Sequence, residues 1–297
     1  METVTLKRKQ IDGSVLQATF APEKGMNLMS LKKDKVEVID QSTLELFEER
    51  AAGLGALIGP HFYHLREDLI PPPPNDTLFP HILKMKAKGQ KDLFSHGIAR
   101  YVPWKYQATE TTISAKLASV DSYEGYLLSE LEGLNFYMSF EAELLEDGLR
   151  IHLTSNSDLF SVVGLHYYYA MTLDSVIDAK VEKRVNEMGT FKPMPSEWMQ
   201  DDSYLHLPLD QEIDAGFLPK ENSHFGKFTL TTGNYQLVVQ ATPQENSELS
   251  FQIYHPKDAS FVCIEPISAT NPRSELPKQG NLIIDIKISD LPTQSGC

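Results

Sequence analysis

Residues 134–154 read LNFYMSFEAELLEDGLRIHLT. The Glu146-Asp147-Gly148 step in this stretch is hairpin chemistry, because Asp-Gly tolerates the backbone angles of a tight two-strand turn. Leu134 to Glu143 before it and Leu149 to Thr154 after it then read as paired strands. The same pattern extends outward in both directions. Upstream, Glu2 to Lys7, Ser14 to Phe20, Met26 to Leu31, Val36 to Ile39 and Thr111 to Val120 carry strand signals. Downstream, Phe160 to Thr172, Val176 to Val185, Leu249 to Tyr254, Phe261 to Ile264 and Leu282 to Ile288 do the same. Thr232-Gly233-Asn234 is a second hairpin signal between Phe228–Thr231 and Tyr235–Gln240. Only Gln41 to Ala51 looks helical in the early chain, and Glu187 to Ser203 reads as irregular. Many short strands with almost no helical period predict an all-β sandwich or barrel. Its length suits a single domain over residues 1–297, with a loose C-terminal end.

Bulk composition narrows the function. The 297 residues carry a formal charge of −14, with a pI near 5.1. Such a surface argues against nucleic acid, whose binding needs cations to displace counterions, and against anionic membranes. No apolar stretch is long enough to cross a bilayer, and the first residues lack a signal core. Cys263 and Cys297 do not suggest a disulfide framework, and a cytoplasmic setting is expected.

Few stretches carry chemistry. Phe261-Val262-Cys263-Ile264-Glu265-Pro266 is an apolar run ending on a carboxylate. Burial would raise the pKa of Glu265 and make it a better base, whereas a strand cap would point into water. His166 lies among Gly164, Leu165 and three tyrosines, which suits either a proton donor or a satisfied core histidine. Together an imidazole and a carboxylate form an acid/base pair. In Phe94-Ser95-His96-Gly97-Ile98-Ala99-Arg100, glycine would let a ligand approach the backbone beside two polar heads. Gly53 to Gly59 leads into Pro60-His61-Phe62-Tyr63-His64, which suits a pocket wall or a packed loop and lacks the Gly-Lys-Ser/Thr of a phosphate loop. No metal is expected, since His61 and His64 have no further ligand in view and neither His-x-x-x-His nor Cys-x-x-Cys occurs. Gly-x-Ser-x-Gly is absent, and Cys263 is too apolar in setting for a nucleophile.

Taken in order, these segments resemble the aldose 1-epimerase (galactose mutarotase-like) superfamily. His96-Gly97-Ile98-Ala99-Arg100 with Pro103-Trp104 is similar to its "HGFAR…PW" segment. Gly164-Leu165-His166-Tyr167-Tyr168-Tyr169 is similar to its "G-x-H-x-Y-F" strand, and Phe261 to Pro266 to its "VCIEP" strand. Pro22 to Leu31 resembles the early "PExGG…SL" turn, and Ile213 to Phe217 the segment of its substrate-binding aspartate. The resemblance implies a large two-sheet antiparallel β-sandwich with a sugar cleft and no cofactor. It implies that Glu265 is the general base at the anomeric hydroxyl, His166 the general acid at the ring oxygen, and His96 a stabiliser of charge there. Asp214, with Asp210 as rival, would hold sugar hydroxyls. Arg100 would line the cleft, and Trp104 and Tyr168 would offer rings to the sugar. The imidazole and carboxylate are expected to face each other across a hollow as wide as a pyranose. The implied activity interconverts α and β anomers of an aldohexose, free or phosphorylated, in a monomer or homodimer. A hexose-phosphate epimerase would need a cationic site, for which Arg66 and Arg100 are the candidates. A carbohydrate-binding protein without turnover is the alternative. After Pro266 the family's tryptophan and glycine-rich tail are replaced by Ile267-Ser268-Ala269-Thr270-Asn271-Pro272, which bears on the sugar rather than the chemistry.

Overall fold

A computed structural model describes residues 1–64, 67–201, 204–274 and 276–291. Phe136–Leu144 and Gly148–Ser157 form the expected antiparallel hairpin, from Phe136 opposite Ser157 to Leu144 opposite Leu149. Alternate residues of Phe136–Leu144 are buried, so one face joins the core and the other meets solvent. Leu145 donates its N–H to the Gly148 carbonyl at 2.8 Å and closes the turn. Gly148 serves a purpose other than the one the turn motif suggests. Its φ is not positive, but a Cβ there would sit 2.0 Å from the carbonyl oxygen of Ile286 on the next strand. Close strand approach, and not turn geometry, demands the glycine.

The strands form two packed antiparallel layers joined through one strand. The first layer runs Gly55–Ile58, Gly164–Ala170, Phe261–Ile267, Ser250–His255 and Ile213–Pro219 in spatial order. The second runs Gly226–Thr231, Gln236–Pro243, Gln279–Ser289, Gly148–Ser157, Phe136–Leu144, Thr112–Ala118 and Lys105–Ala108. The long strand Val176–Glu187 belongs to both. Its first part pairs with Gly226–Thr231 and its last part with Ile213–Pro219, and the register shifts between Val181 and Val185. Such an irregularity bends a strand and re-aims it, which here carries the sheet around the corner. Apolar side chains fill the space between the layers. Phe228 of the second layer stacks on Phe251 of the first at 4.4 Å and meets Phe217 edge-on at 6.2 Å.

A four-stranded sheet of Val4–Lys9, Val15–Ala21, Asn27–Lys33 and Val36–Glu37 packs beside the second layer, where Phe20 meets Phe140 at 5.6 Å. The expected helix appears as a 3-10 turn, Gln41–Thr43, running into Leu44–Arg50. Among the described residues no helix is long and apolar enough to cross a membrane.

Several expectations need correction. Gly55–Ile58, read only as a glycine-rich apolar stretch, is a fully buried strand, and a Cβ on Gly55 would lie 2.5 Å from that of Leu28. A strand buried on both faces shows no alternation, so its apolar run carries no period to read. The stretch read as irregular contains a short strand, Thr190–Pro193, pinned to Arg184–Glu187 by its partner register. Tyr204–Pro208 and the short helices Ile82–Ala87 and Leu128–Glu132 were not expected. Cys297 lies outside the described residues.

Candidate active site

Strand register assembles the site. His166 stands opposite Ala56, and Glu265 opposite Gln252, which in turn stands opposite Gly216. Gly164 pairs with Ile267 and Tyr168 with Cys263, which sets His166 directly across from Glu265. One row across five strands therefore reads Ala56, His166, Glu265, Gln252, Gly216. Two residues along, the next row on the same face reads Tyr168, Cys263, Tyr254, Asp214. Residues that alternate with these on the same strands, including Tyr167, Tyr169, Phe217 and Phe251, point into the core and are fully buried. Alternation thus divides the three tyrosines, with Tyr168 on the site and the other two in the core.

His166 Nε2 lies 3.4 Å from Glu265 Oε1, and both side chains are almost wholly buried. The two do not face each other across a hollow. They are neighbours on adjacent strands, and a ligand must lie over both. Burial pushes the Glu265 carboxyl well above the ordinary range, with Arg100 opposing and Asp214 reinforcing the shift. Burial also holds His166 well below the usual histidine value, helped by Arg100. The pair is thus tuned toward neutral partners holding one transferable proton: a carboxyl that becomes a strong base once ionised, beside an imidazole with a donor to give.

His96 approaches from a loop. Its ring centre is 5.4 Å from that of His166, and burial, followed by the charge of Arg100, holds its pKa well below normal. The backbone at His96 has φ +64° and at Gly97 φ +87°, angles that a side chain adopts only when the surroundings enforce them. Enforcement comes from the neighbouring loop. Gly59 donates its N–H to the His96 carbonyl at 2.9 Å, and Ala99 donates to the Gly59 carbonyl at 3.2 Å. A Cβ on Gly97 would lie 2.0 Å from that same Gly59 oxygen. Behind the loop, the fully buried Glu132 accepts the Ile98 N–H at 2.8 Å and pairs with His61 Nδ1. Burial alone would depress His61, but the charge of Glu132 and hydrogen bonds to Asp92 and Glu132 outweigh it and raise its pKa to about 10.

Arg100 is buried beneath the same cleft. Its Nε donates to the Leu57 carbonyl at 2.9 Å, while one terminal nitrogen has no protein partner. His96 Nδ1 and His166 Nδ1 are likewise buried without partners. Buried polar atoms left unpaired beside a cleft are available to a ligand. The early turn holds this arginine in place. Gly25, at φ +70°, packs so closely that a Cβ would fall 2.2 Å from the Arg100 carbonyl oxygen. Gly25 also donates its N–H to Val102 at 3.1 Å.

These groups line a cleft of about 210 Å³. Six of the expected residues border it: Glu265, His166, His96, Arg100, Asp214 and Tyr168. Asp214 accepts a hydrogen bond from Gln252 Nε2 at 2.6 Å, whereas Asp210 is exposed on a bend away from the cleft. Trp104 does not reach the cleft. Its indole N–H donates to the Ala99 carbonyl at 2.9 Å and its ring packs in the core, so it supports the Arg100 loop from behind. The segment that suited a pocket wall does reach the cleft, through Phe62 and Tyr63, while sequence reasoning missed Gln252, Tyr254, Arg50 and Arg273, all of which line it. Gln252 and Tyr254 were legible in principle, because both fall on the face of an expected strand that pairs with Glu265. Arg273 stacks on the Tyr63 ring at 4.1 Å and donates to its hydroxyl at 3.1 Å, a contact between distant segments that no local pattern encodes.

No family model and no curated protein sequence matches the chain. Solved structures do. A galactose mutarotase-like protein from Lactobacillus casei ATCC 334 superposes with a TM-score of 0.68 at 14% identity, covering 97% of this chain and 100% of its own. A galactose mutarotase-like protein from Clostridium acetobutylicum gives 0.66 at 14% identity, covering 98% and 99%. A galactose mutarotase related enzyme from Lactobacillus acidophilus gives 0.60 at 14% identity, covering 96% and 97%. The chain has the galactose mutarotase-like β-sandwich fold over nearly its whole length.

Proposed function

We propose that the chain is a sugar mutarotase that interconverts the α and β anomers of an aldose. The adjacency of His166 and Glu265 in the floor of a polar cleft carries this reading. In a cyclic aldose the anomeric hydroxyl and the ring oxygen are bonded to the same carbon. A base and an acid 3.4 Å apart can therefore reach both oxygens at once. Passage of the carboxyl proton to His166 Nε2 readies the pair. The Glu265 carboxylate then takes the hydroxyl proton, and the electron pair of that O–H becomes the aldehyde π bond. The bond from the anomeric carbon to the ring oxygen breaks, and His166 protonates that oxygen as it leaves. The open aldehyde turns about one bond, and closure on its other face returns both protons. The free donor of Arg100 suits the charge that develops on the ring oxygen, and the unpaired Nδ1 of His96 is left to hydrogen-bond the sugar. Asp214 with Gln252 would hold hydroxyls further along the ring. Nothing in this sequence of steps calls for a cofactor.

Magnetisation-exchange NMR on a panel of free and phosphorylated aldoses tests the proposal. Exchange of at least one sugar is expected, and His166→Asn should slow it by about two orders of magnitude. An unchanged rate in that variant would make His166 a core residue. Binding with no exchange of any sugar would make the chain a carbohydrate-binding module.

One observation favours an anionic aldose as the substrate. In a chain of net charge −14, the cleft is lined by Arg50, Arg100 and Arg273. Among the described residues, neither Arg50 nor Arg273 is paired with a carboxylate, while Arg66 lies outside them. Charge-assisted hydrogen bonds to a phosphate would use such groups. Arg273→Gln is then expected to lower kcat/KM for a phosphorylated aldose by roughly 10- to 100-fold while sparing the neutral sugar. Equal losses on both would remove Arg273 as an anion contact.

A further inference from the structure

A second polar cluster lies behind the cleft, where His61, His64 and Asp92 converge. His61 Nε2 and Asp92 Oδ2 are 3.2 Å apart, and each of the three residues offers a ligand atom within 4.8 Å of the others. The rings of His61 and His64 stack at 3.9 Å, and Nδ1 of His64 is buried without a hydrogen-bond partner. The far nitrogen of His61 is held by Glu132, a fully buried carboxylate whose other oxygen is fixed by the Ile98 N–H. A carboxylate on the outer nitrogen of a ligating histidine is the usual way to fix its ring and raise its basicity toward a metal. Local spacing hid the site, because His61 and His64 are near in sequence while Asp92 and Glu132 arrive from distant segments.

Charge counting points the same way. Asp92 and Glu132 bring two negative charges to a poorly solvated place, and a proton on both nitrogens of His61 offsets only one. A divalent cation replacing the His61 Nε2 proton, which leaves to solvent, makes the group neutral. It also places a Lewis acid beside an imidazole that has a nitrogen to spare. We propose that His61, His64 and Asp92 form a transition-metal site, best suited to Zn²⁺, with Glu132 orienting His61 from behind. Two imidazoles and a carboxylate leave a fourth position for water, and nitrogen-rich sets of this kind select zinc over calcium or magnesium. The site is separate from the sugar chemistry. The residues between His61 and His64, Phe62 and Tyr63, pack on His96 at 4.5 and 5.5 Å, so the ion would stiffen the cleft wall without touching the sugar.

The test uses the full chain, stripped with chelator and titrated with Zn²⁺ and with Co²⁺ as a visible probe. One ion per chain is expected, with the intense visible absorption of a low-coordinate Co²⁺ site and a raised thermal midpoint. His64→Gln and Asp92→Asn should each weaken binding by at least about a hundredfold, and Glu132→Gln by roughly 10- to 100-fold. Glu265→Gln should bind as the parent does, which separates this cluster from His166, Cys263 and Glu265, whose potential ligand atoms also lie within 4.8 Å of one another. The proposal is overturned if the folded parent takes up no ion, if His64→Gln and Asp92→Asn bind like the parent, or if Glu265→Gln is the variant that loses the ion. Should Asp92→Asn fail to fold by circular dichroism, His64→Gln decides alone, since that ring has no hydrogen bond at Nδ1 to lose. Because the readout is binding, failure of the mutarotase reading would leave the result intact.

Discussion

Replacing Glu265 by glutamine should reduce anomer exchange by about two to four orders of magnitude, the range for removing a general base, with sugar affinity within about tenfold. Glutamine keeps the shape and the hydrogen-bonding reach of the side chain but cannot take a proton. The same substitution should stabilise the protein, and the gain should grow with pH. In the folded chain burial raises the Glu265 pKa well above its ordinary value of 4.5. The folded state therefore holds this proton more tightly than the unfolded chain does. At acid pH, where both states are protonated, the carboxyl costs nothing. As pH climbs from the ordinary value through the raised one, the parent loses stability that the glutamine variant keeps. Denaturant titrations at acid and neutral pH check this directly. Normal turnover in the variant would remove Glu265 from the chemistry. A stability difference that does not change with pH would show that burial does not tune the group.

Glu132→Ala is expected to be the most damaging single change to stability, at roughly 3–5 kcal/mol in the metal-free chain. The loss has two parts. His61 is fully buried, and without Glu132 its imidazolium keeps only the partly exposed Asp92. The Ile98 N–H loses its acceptor at the same time, in a place water does not reach. Removing one partner of a buried ion pair is costly because the survivor cannot be rehydrated. The Ile98 backbone belongs to the loop that presents His96 and Arg100, so turnover should fall in any fraction that folds. Equilibrium denaturation measures the first effect and exchange kinetics the second. A loss below about 1 kcal/mol would mean that His61 gives up its proton at little cost and that the pair is not what anchors the loop.

Much of this architecture was legible because antiparallel strands with one buried face print their period on the chain. The hairpin around Asp147 was readable for that reason. The strands of His166 and Glu265 are buried on both faces and were readable instead as long apolar runs rich in aromatic and β-branched residues. Gly55–Ile58 was not, since it is only four residues long and lies in a glycine-rich stretch. The strand Ile213–Pro219, which carries Asp214, was known only as a loose resemblance, because glycine and proline break its pattern. His166 and Glu265 could be singled out as buried ionisable groups on apolar strands. Their spacing could not, because it depends on which strands neighbour each other, a property of topology that no single segment holds. Trp104 misled for a related reason. An aromatic beside a site motif is as useful bracing a loop as facing a ligand, and only packing tells which. Arg273, Tyr63 and the Glu132–His61 pair are contacts between remote segments, invisible until the chain is folded.

The contact of Gly25 with Arg100 gives the amino-terminal sheet a significance its position at the periphery hides. It supplies none of the row that runs from Ala56 to Gly216, yet it is the buttress on which the arginine's backbone rests. Trimming this chain from its front end would leave the row of His166 and Glu265 in the sequence while removing the turn that packs on the Arg100 backbone. The same sheet sends Leu6, Phe20 and Leu28 into the core, so its loss would reach the arginine through the packing as well as through the turn.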